Sequence, residues 1–404
     1  MTTERKFRGI IKHAWDNSPL YRQIYTDHGI REDDLAHIRL QDLPVVSKND
    51  IMVRFDEAVT DSRLRLHDVT AWIKDDKNPL NLYLDTYVLI GSSAGSEIAS
   101  YIPYTLKEWR FMTTIVARDL IPNPLHTNQP IRHAFYFASD GHWASATNVN
   151  LASRNAHEIL KLSIQDPVEE IWTRLNAFNP ERLTGYASSV GWLAEWTIAG
   201  KLRIRPKTVV ISGDQFTPSL RTLVQEAWED PEIYDLYASA EALYMALQTP
   251  GNSHYRVYTD LVLLEIVNES GQMVAPGERG RVLLTNLALS TLPLIRYEVW
   301  DYATLGSTNF GAETLIRIDG KTFDELPVRT VAGDVKNIPV YELTKLQLPR
   351  IKKIQLVSYQ PEIIEIHYIA EENLDQEVLD TFKKIVGENF FALERVDVKR
   401  VDFL

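Results

Sequence analysis

Apolar positions recur at helical spacing through roughly the first 80 residues, with Phe7, Ile10, Ile11 and Trp15 on one stripe. Pro44 and Ser47 punctuate this region and open a further turn. The pattern then changes. YVLI, residues 87 to 90, is a short unbroken apolar run and predicts a buried strand that feeds into the small-residue turn GSSAGSEIAS. Through the centre, strand-like and helix-like segments alternate. AFYFAS (134 to 139) precedes a helical stretch from Pro167 to Ala177 and a second one, SSVGWLAEWTIAG, at 188 to 200. KTVVISGD (207 to 214), helix-like SLRTLVQEAWED (219 to 230) and strand-like EIYDLYAS (232 to 239) complete the series.

Strands separated by helices argue for a layered α/β fold with a largely parallel sheet. After Asp260, LVLLEIV and RVLLTNL flank the turn NESG, which predicts adjacent strands and an antiparallel or barrel-like subregion. RYEVWDYATLG (296 to 306) closes that section. From Asp319 onward the chain has its own strand and helix patterns, IKKIQLVSY, EIIEIHYIA and LDQEVLDTFKKIVGE. The expected architecture is a large N-terminal α/β domain over 1–318, with a barrel-like β subregion, and a small α+β C-terminal lid domain over 319–404.

Composition narrows the chemistry. The 404 residues are 45% apolar and 24% charged, which is ordinary for a folded globular chain. The net charge of −12 opposes phosphate backbones and anionic lipid, so nucleic acid and membrane surfaces are poor partners. Cysteine is absent, which removes disulfides, thiolate zinc sites and cysteine nucleophiles. No apolar stretch approaches the roughly 20 residues of a membrane helix. The charged start MTTERKFRGIIKHAWDNS is unlike a signal peptide, so a cytoplasmic protein is expected.

Three short segments bear candidate chemistry. In GSSAGS (91 to 96) small residues after a strand let backbone N–H groups turn toward phosphate oxygens, although such turns are also plain punctuation. The same residues fit GxSxG, but the strand-like IASYIPYT that follows contradicts the helix a hydrolase elbow needs. YASAE (237 to 241) offers a ring for a nucleobase and, in Glu241, a carboxylate for magnesium. The plainer reading is a helix start capped by Ser239. RYEVWD ends in Asp301, which could take two ribose hydroxyls or simply pair with Arg296. The aromatic stretch FYFASDGHWASA either walls a flat pocket or is ordinary core. The 10 histidines show no zinc-ligand spacing.

Taken in order along nearly the whole chain, these segments resemble the phenylacetate–CoA ligase branch of the adenylate-forming superfamily. NSPLYRQIYTDHGI and LQDLPVVSKNDI look like its opening, and GSSAGSEIASYIPYTLKEW sits where it has its phosphate loop. LTGYASSVGWLAEW, VVISGDQFTPSLRTLVQEAW and YASAE take the places of its acyl-pocket helix, its Gly-Glu turn and its "YgsTE" box. EIVNESGQMVAPGERGRVLLTNLALSTLPLIRYEVWD resembles the stretch joining "PGE.G" to the ribose-binding "RY..GD".

The resemblance implies ATP/AMP, magnesium and either CoA or phosphopantetheine as cofactors. It implies a small carboxylic acid or acyl thioester as substrate, aromatic or polyketide-related. An acyl carrier protein is a candidate partner and a homodimer is left open. By the same carry-over, Glu241 would bind magnesium and act with Lys321 in catalysis, Lys321 standing in for an arginine. Ser92, Ser93, Gly95, Ser96, Gly213, Asp214, Tyr237, Ser239 and Asp301 would contact the nucleotide and acyl groups.

Four departures bear on ATP use. Ala94 and Glu97 stand where the phosphate loop has glycines and Ile98 where it has lysine; Ala240 replaces threonine; Trp300 replaces glycine; and the chain ends at VDVKRVDFL in place of a lysine-bearing tail. A Glu97 carboxylate about 6 Å from the triphosphate would cost roughly 3 kcal/mol at an effective dielectric near 20. Three readings follow: an acid–thiol ligase, an acyltransferase between CoA and a carrier protein without adenylation, and a non-catalytic partner-binding relative.

Overall fold

The computed structural model describes residues 2–76, 78–92, 99–120, 130–138, 141–151, 157–306, 314–321, 326–331, 333–338, 343, 346, 348, 350–386 and 395–401. The chain divides into two compact units, Met1–Val299 with Thr304–Arg317, and Trp300–Ala303 with Ile318–Leu404.

The first unit opens with α1 (Thr3–Asn17), α2 (Pro19–Asp27), α3 (Lys48–Val53), α4 (Phe55–Ala58) and α5 (Leu66–Asp75). Local chemistry sets their starts. Ser18 caps α2 with Pro19 in the first turn, where a missing N–H costs nothing, and Ser47 and Asp50 form a reciprocal capping box on α3. Strands β1 (Tyr87–Gly91) and β2 (Tyr101–Thr105) pair antiparallel from Tyr87↔Thr105 to Gly91↔Tyr101. Helix α6 (Leu106–Leu120) follows β2 directly. Its N-terminus is secured by Glu108, which is 8% exposed and accepts from the N–H and hydroxyl of Thr105 and from those of Ser290 and Thr291. Six donors make this buried carboxylate a joint between segments 182 residues apart.

The main sheet contains β3 (Ile131–Phe137), β4 (His157–Ser163), β5 (Arg182–Gly185), β6 (Thr208–Ser212), β7 (Glu232–Tyr237), β8 (Ala246–Gln248), β9 (Tyr255–Val257), β10 (Val262–Val267), β11 (Arg279–Asn286), β12 (Tyr297–Leu305) and β13 (Thr314–Lys321). Their order is β10-β11-β12-β13-β9-β8-β7-β6-β5-β3-β4. β4, β3, β5, β6 and β7 are parallel, as the strand–helix alternation predicts. β7, β8 and β9 are antiparallel, and the LVLLEIV and RVLLTNL strands pair from Val262↔Asn286 to Val267↔Arg281 as β10 and β11.

Period-two alternation assigns the two faces of the parallel part. Ala134, Tyr136, Leu183, Val209, Ile211 and Ile233 point into a core closed by α8 (Val168–Phe178), α9 (Ala187–Ile198) and α10 (Pro218–Trp228); α7 is Ala144–Leu151. Leu193, fully buried there, is worth about 2–5 kcal/mol against alanine.

The second unit contains β14 (Leu326–Arg329) paired with β15 (Val335–Ile338), and a three-stranded sheet of β16 (Ile351–Gln360), β17 (Ile363–Ala370) and β18 (Arg395–Arg400). α11 (Asp375–Val386) lies in sequence between the parallel pair β17 and β18 and puts Val378, Phe382 and Val386 into a core with Ile364, Ile366 and Tyr368. The Tyr368 hydroxyl donates to Asp375 and accepts from the Leu374 N–H, which ties the helix start to the sheet.

Candidate active site

Strand β7 ends at Tyr237, and YASAE continues as a turn, so Ser239 does not cap a helix there. The turn is closed by the Leu243 N–H donating to the Ser239 carbonyl (2.8 Å) and by the Tyr104 hydroxyl donating to the Ala240 carbonyl (2.6 Å). Asn286 at the end of β11 donates to the Glu241 carbonyl (2.9 Å). These bonds hold the backbone on both sides of the carboxylate, and Leu243 takes a left-handed φ of 56°.

The Glu241 carboxylate lies against Ser100, which bonds Ser92. Ser92 donates its N–H to the Ser100 carbonyl (2.9 Å), and the Ser100 N–H returns to Ser92 Oγ (3.0 Å), so the two serines clasp the segment between them. The fully buried Ser100 hydroxyl and the Tyr297 hydroxyl each lie 3.5 Å from Glu241 Oε1. Oε2 has no hydrogen-bond donor among the described residues. Burial, followed by the nearby Glu241 charge, raises the Tyr297 phenol above its ordinary range, and Tyr104 is raised for the same two reasons. Both phenols therefore stay protonated as donors. The Ser239 hydroxyl is buried with no hydrogen-bond partner among the described residues. Ser93, Gly95, Ser96 and Glu97 lie outside the described residues, as do Ala94 and Ile98.

A second group of the sequence candidates surrounds the start of α9. Asp214 accepts from the N–H groups of Ala187 and Ser188, capping that helix across 27 residues of sequence. Gly213 has φ of +93°, and a Cβ there would stand 2.8 Å from a ring carbon of Tyr186, so only glycine allows the ring to lie against this turn. The Tyr186 hydroxyl is 3.1 Å from Ser145 Oγ, and its ring meets Phe137 edge-on at 4.8 Å. The aromatic stretch therefore splits by strand alternation: Tyr136 is core, while Phe137 faces Tyr186. Tyr237 is 9% exposed and accepts at its carbonyl from Met245.

Arg296 does not pair with Asp301. Its guanidinium bonds Glu265 at 3.0 Å, both side chains being 4% exposed, and donates to the carbonyls of Gln41, Leu43 and Gly271. It fastens the segment before α3 to the sheet, with Val46 bridging Tyr297. Asp301 belongs to the second unit, where it is 6% exposed on β12 one residue after Trp300, whose φ is 62°. Lys321 ends β13, and its side chain lies outside what is described.

Sequence reasoning missed Ser100, Tyr104 and Asn286 as supports, and Tyr297 as a donor to Glu241. Tyr297 stood in plain view beside Arg296 in the RYEVWD segment, but nothing local says that it reaches Glu241. Glu241 suits magnesium. The ion keeps several waters and takes one or two carboxylates besides phosphate oxygens, so one carboxylate with an unengaged oxygen is an adequate protein contribution. No group of three or more His, Asp or Glu side chains fit to hold a metal occurs among the described residues.

The fold around this site is that of the adenylate-forming CoA ligases. 2-Hydroxyisobutyryl-CoA ligase, solved in its postadenylation state with R3-HIB-AMP, superposes with a TM-score of 0.76 over 99% of this chain and 85% of its own, at 18% identity. O-succinylbenzoate coenzyme A synthetase from Bacillus subtilis, with ATP and magnesium, gives 0.55 over 77% and 66% at 13% identity. In sequence the chain is similar to phenylacetate-coenzyme A ligase of Pseudomonas putida, 20% identical over 386 residues, covering 92% of this chain and 78% of that protein. No family model matches the chain. No described helix is long and apolar enough to cross a membrane.

Proposed function

We propose that the chain is an acid–thiol ligase that activates a small carboxylic acid as its adenylate and passes the acyl group to coenzyme A. The observation that carries this reading is the Glu241 carboxylate set at the clasped neck of the Ser92–Ser100 segment by Ser100 and Tyr297. In the first half-reaction a carboxylate oxygen of the acid attacks the α-phosphorus of ATP and pyrophosphate leaves. In the second, a thiolate attacks the acyl carbonyl and AMP leaves. Bound magnesium would neutralise polyphosphate charge. Glu241 would hold it, Ser239 would offer a hydroxyl beside it, and Ser92, Ser93, Gly95 and Ser96 are assigned to the phosphates. Asp301 is assigned to the ribose hydroxyls and Lys321 to ribose or phosphate.

The wall of Phe137, Tyr186 and Gly213 favours a planar, aromatic or polyketide-related acid. The test is ATP–pyrophosphate exchange across a panel of aromatic and aliphatic acids. Exchange dependent on one acid class and on magnesium is expected, and the absence of both exchange and AMP binding would overturn the reading. Coenzyme A and a phosphopantetheinylated carrier protein are then offered as competing acceptors, with acyl-CoA as the expected product.

A further inference from the structure

A second polar cluster lies at the opposite ends of the parallel strands from Tyr237 and Gly213. His133 on β3 pairs in register with Arg182 on β5, and His157 begins the neighbouring strand β4. Alternation turns all three side chains to the sheet face opposite the α8–α10 core. They are buried, with exposures of 6%, 4% and 6% for His133, Arg182 and His157.

Their hydrogen bonding is incomplete. The Arg182 side chain has no hydrogen bond or ion pair among the described residues, and its Nε is sealed from solvent without an acceptor. His133 Nδ1 and His157 Nδ1 are likewise buried and unpartnered, with the two rings 5.1 Å apart. The other His133 nitrogen, Nε2, is 2.7 Å from the Thr184 hydroxyl. When Thr184 donates there, Nδ1 carries the proton and becomes a donor. His157, alone of the three, also lines a cavity of about 650 Å³ with Pro130, Glu158, Ile159 and Lys161.

A buried guanidinium almost always has a carboxylate or carbonyl beside it, because desolvating a charge without a partner costs several kcal/mol. Glu232 lies two strands away in the same row, since Arg182 pairs with Thr208 and Thr208 with Glu232. The Tyr234 phenol and then Glu232 act on Arg182 only through space, without a hydrogen bond. The fixed positive charge of Arg182 repels a metal cation that two imidazoles would otherwise attract. Nitrogen groups set on three adjacent strands of one sheet face instead suit a compact oxyanion.

We propose that Arg182, His133 and His157 form an oxyanion-binding site, taking a phosphate group or a similar anion, separate from the candidate active site.

Full-length protein with labelled imidazoles is titrated with inorganic phosphate against chloride of matched ionic strength. The His133 and His157 resonances, identified with His157→Gln, should shift saturably with phosphate and not with chloride. Arg182→Met should weaken that binding by about tenfold or more, the loss of a charge-assisted bond. Without phosphate the same variant should melt at or above the native temperature, since the guanidinium has no hydrogen-bonded partner to lose among the described residues. Following the two imidazoles separates this site from phosphate bound near Glu241, so the outcome does not depend on the ligase assignment. Four results would overturn the proposal: imidazoles indifferent to phosphate, unchanged affinity in Arg182→Met, a variant that melts lower or fails to fold without anion, or a response to zinc in place of phosphate.

Discussion

Replacing Asp235 by asparagine should make the protein more stable at neutral and alkaline pH and leave it nearly unchanged in acid. Asp235 lies on β7, two residues before Tyr237, and is 6% exposed. It accepts a hydrogen bond from the Tyr255 hydroxyl. Burial dominates and pushes its carboxyl up to about 6 from 3.8, with the Tyr255 bond working the other way. A folded-state value above the unfolded one means that folding favours the protonated acid. This contribution is complete below about pH 4 and is lost as pH rises through about 6. At 1.36 kcal/mol per unit, the shift amounts to about 3 kcal/mol between acid and pH 8.

Asparagine is neutral throughout, and its carbonyl oxygen still accepts from Tyr255. The gain in unfolding free energy of Asp235→Asn over the native protein should therefore grow by about 2.5 kcal/mol from pH 4 to pH 8. Urea unfolding of both proteins at several pH values measures it, and taking the difference cancels the other titrating groups. A difference that stays flat across this range would refute the assignment of the buried charge.

The remaining predictions concern the site and its supports. Glu241→Gln should slow ATP–pyrophosphate exchange at least about tenfold with an unchanged circular dichroism spectrum, and a native rate would remove Glu241 from the site. Asp301→Ala should raise the apparent KM for ATP more than that for the acid; equal rises would point to a folding defect. At Trp300 the left-handed backbone inverts the usual strand preference. Trp300→Gly should be more stable than Trp300→Ala by about 1 kcal/mol, and the reverse order in paired melts would contradict that geometry. Glu108→Ala strands the Thr105, Ser290 and Thr291 donors and should lower stability by about 3 kcal/mol or more in denaturant titration, whereas a loss under 1 kcal/mol would mean these bonds are replaced by water.

Much of the local structure was legible. Apolar runs and strand–helix alternation marked β3, β6, β7 and α8 to α10 because side-chain period reports directly which face of an element is buried. Ser47, read from sequence as opening a turn, starts α3 together with Asp50 through bonds three residues long, with no partner from elsewhere. Strand order is different in kind. No residue in LVLLEIV or RVLLTNL states that these strands continue the parallel sheet through β9 and β8.

The same division holds at the site. Sequence by itself singled out YASAE, GSSAGS and RYEVWD as chemically equipped segments, each with a bland reading beside it. Only the tertiary structure decided that Glu241, Ser100 and Tyr297 meet across 141 and 56 residues of chain, that Arg296 serves Glu265, and that Asp214 caps α9. It also set His133 beside Arg182, a juxtaposition that neither segment hints at. A side chain's chemistry and its face are written within a few residues of it, whereas its partners are set by strand register, and register is settled only when the whole sheet packs.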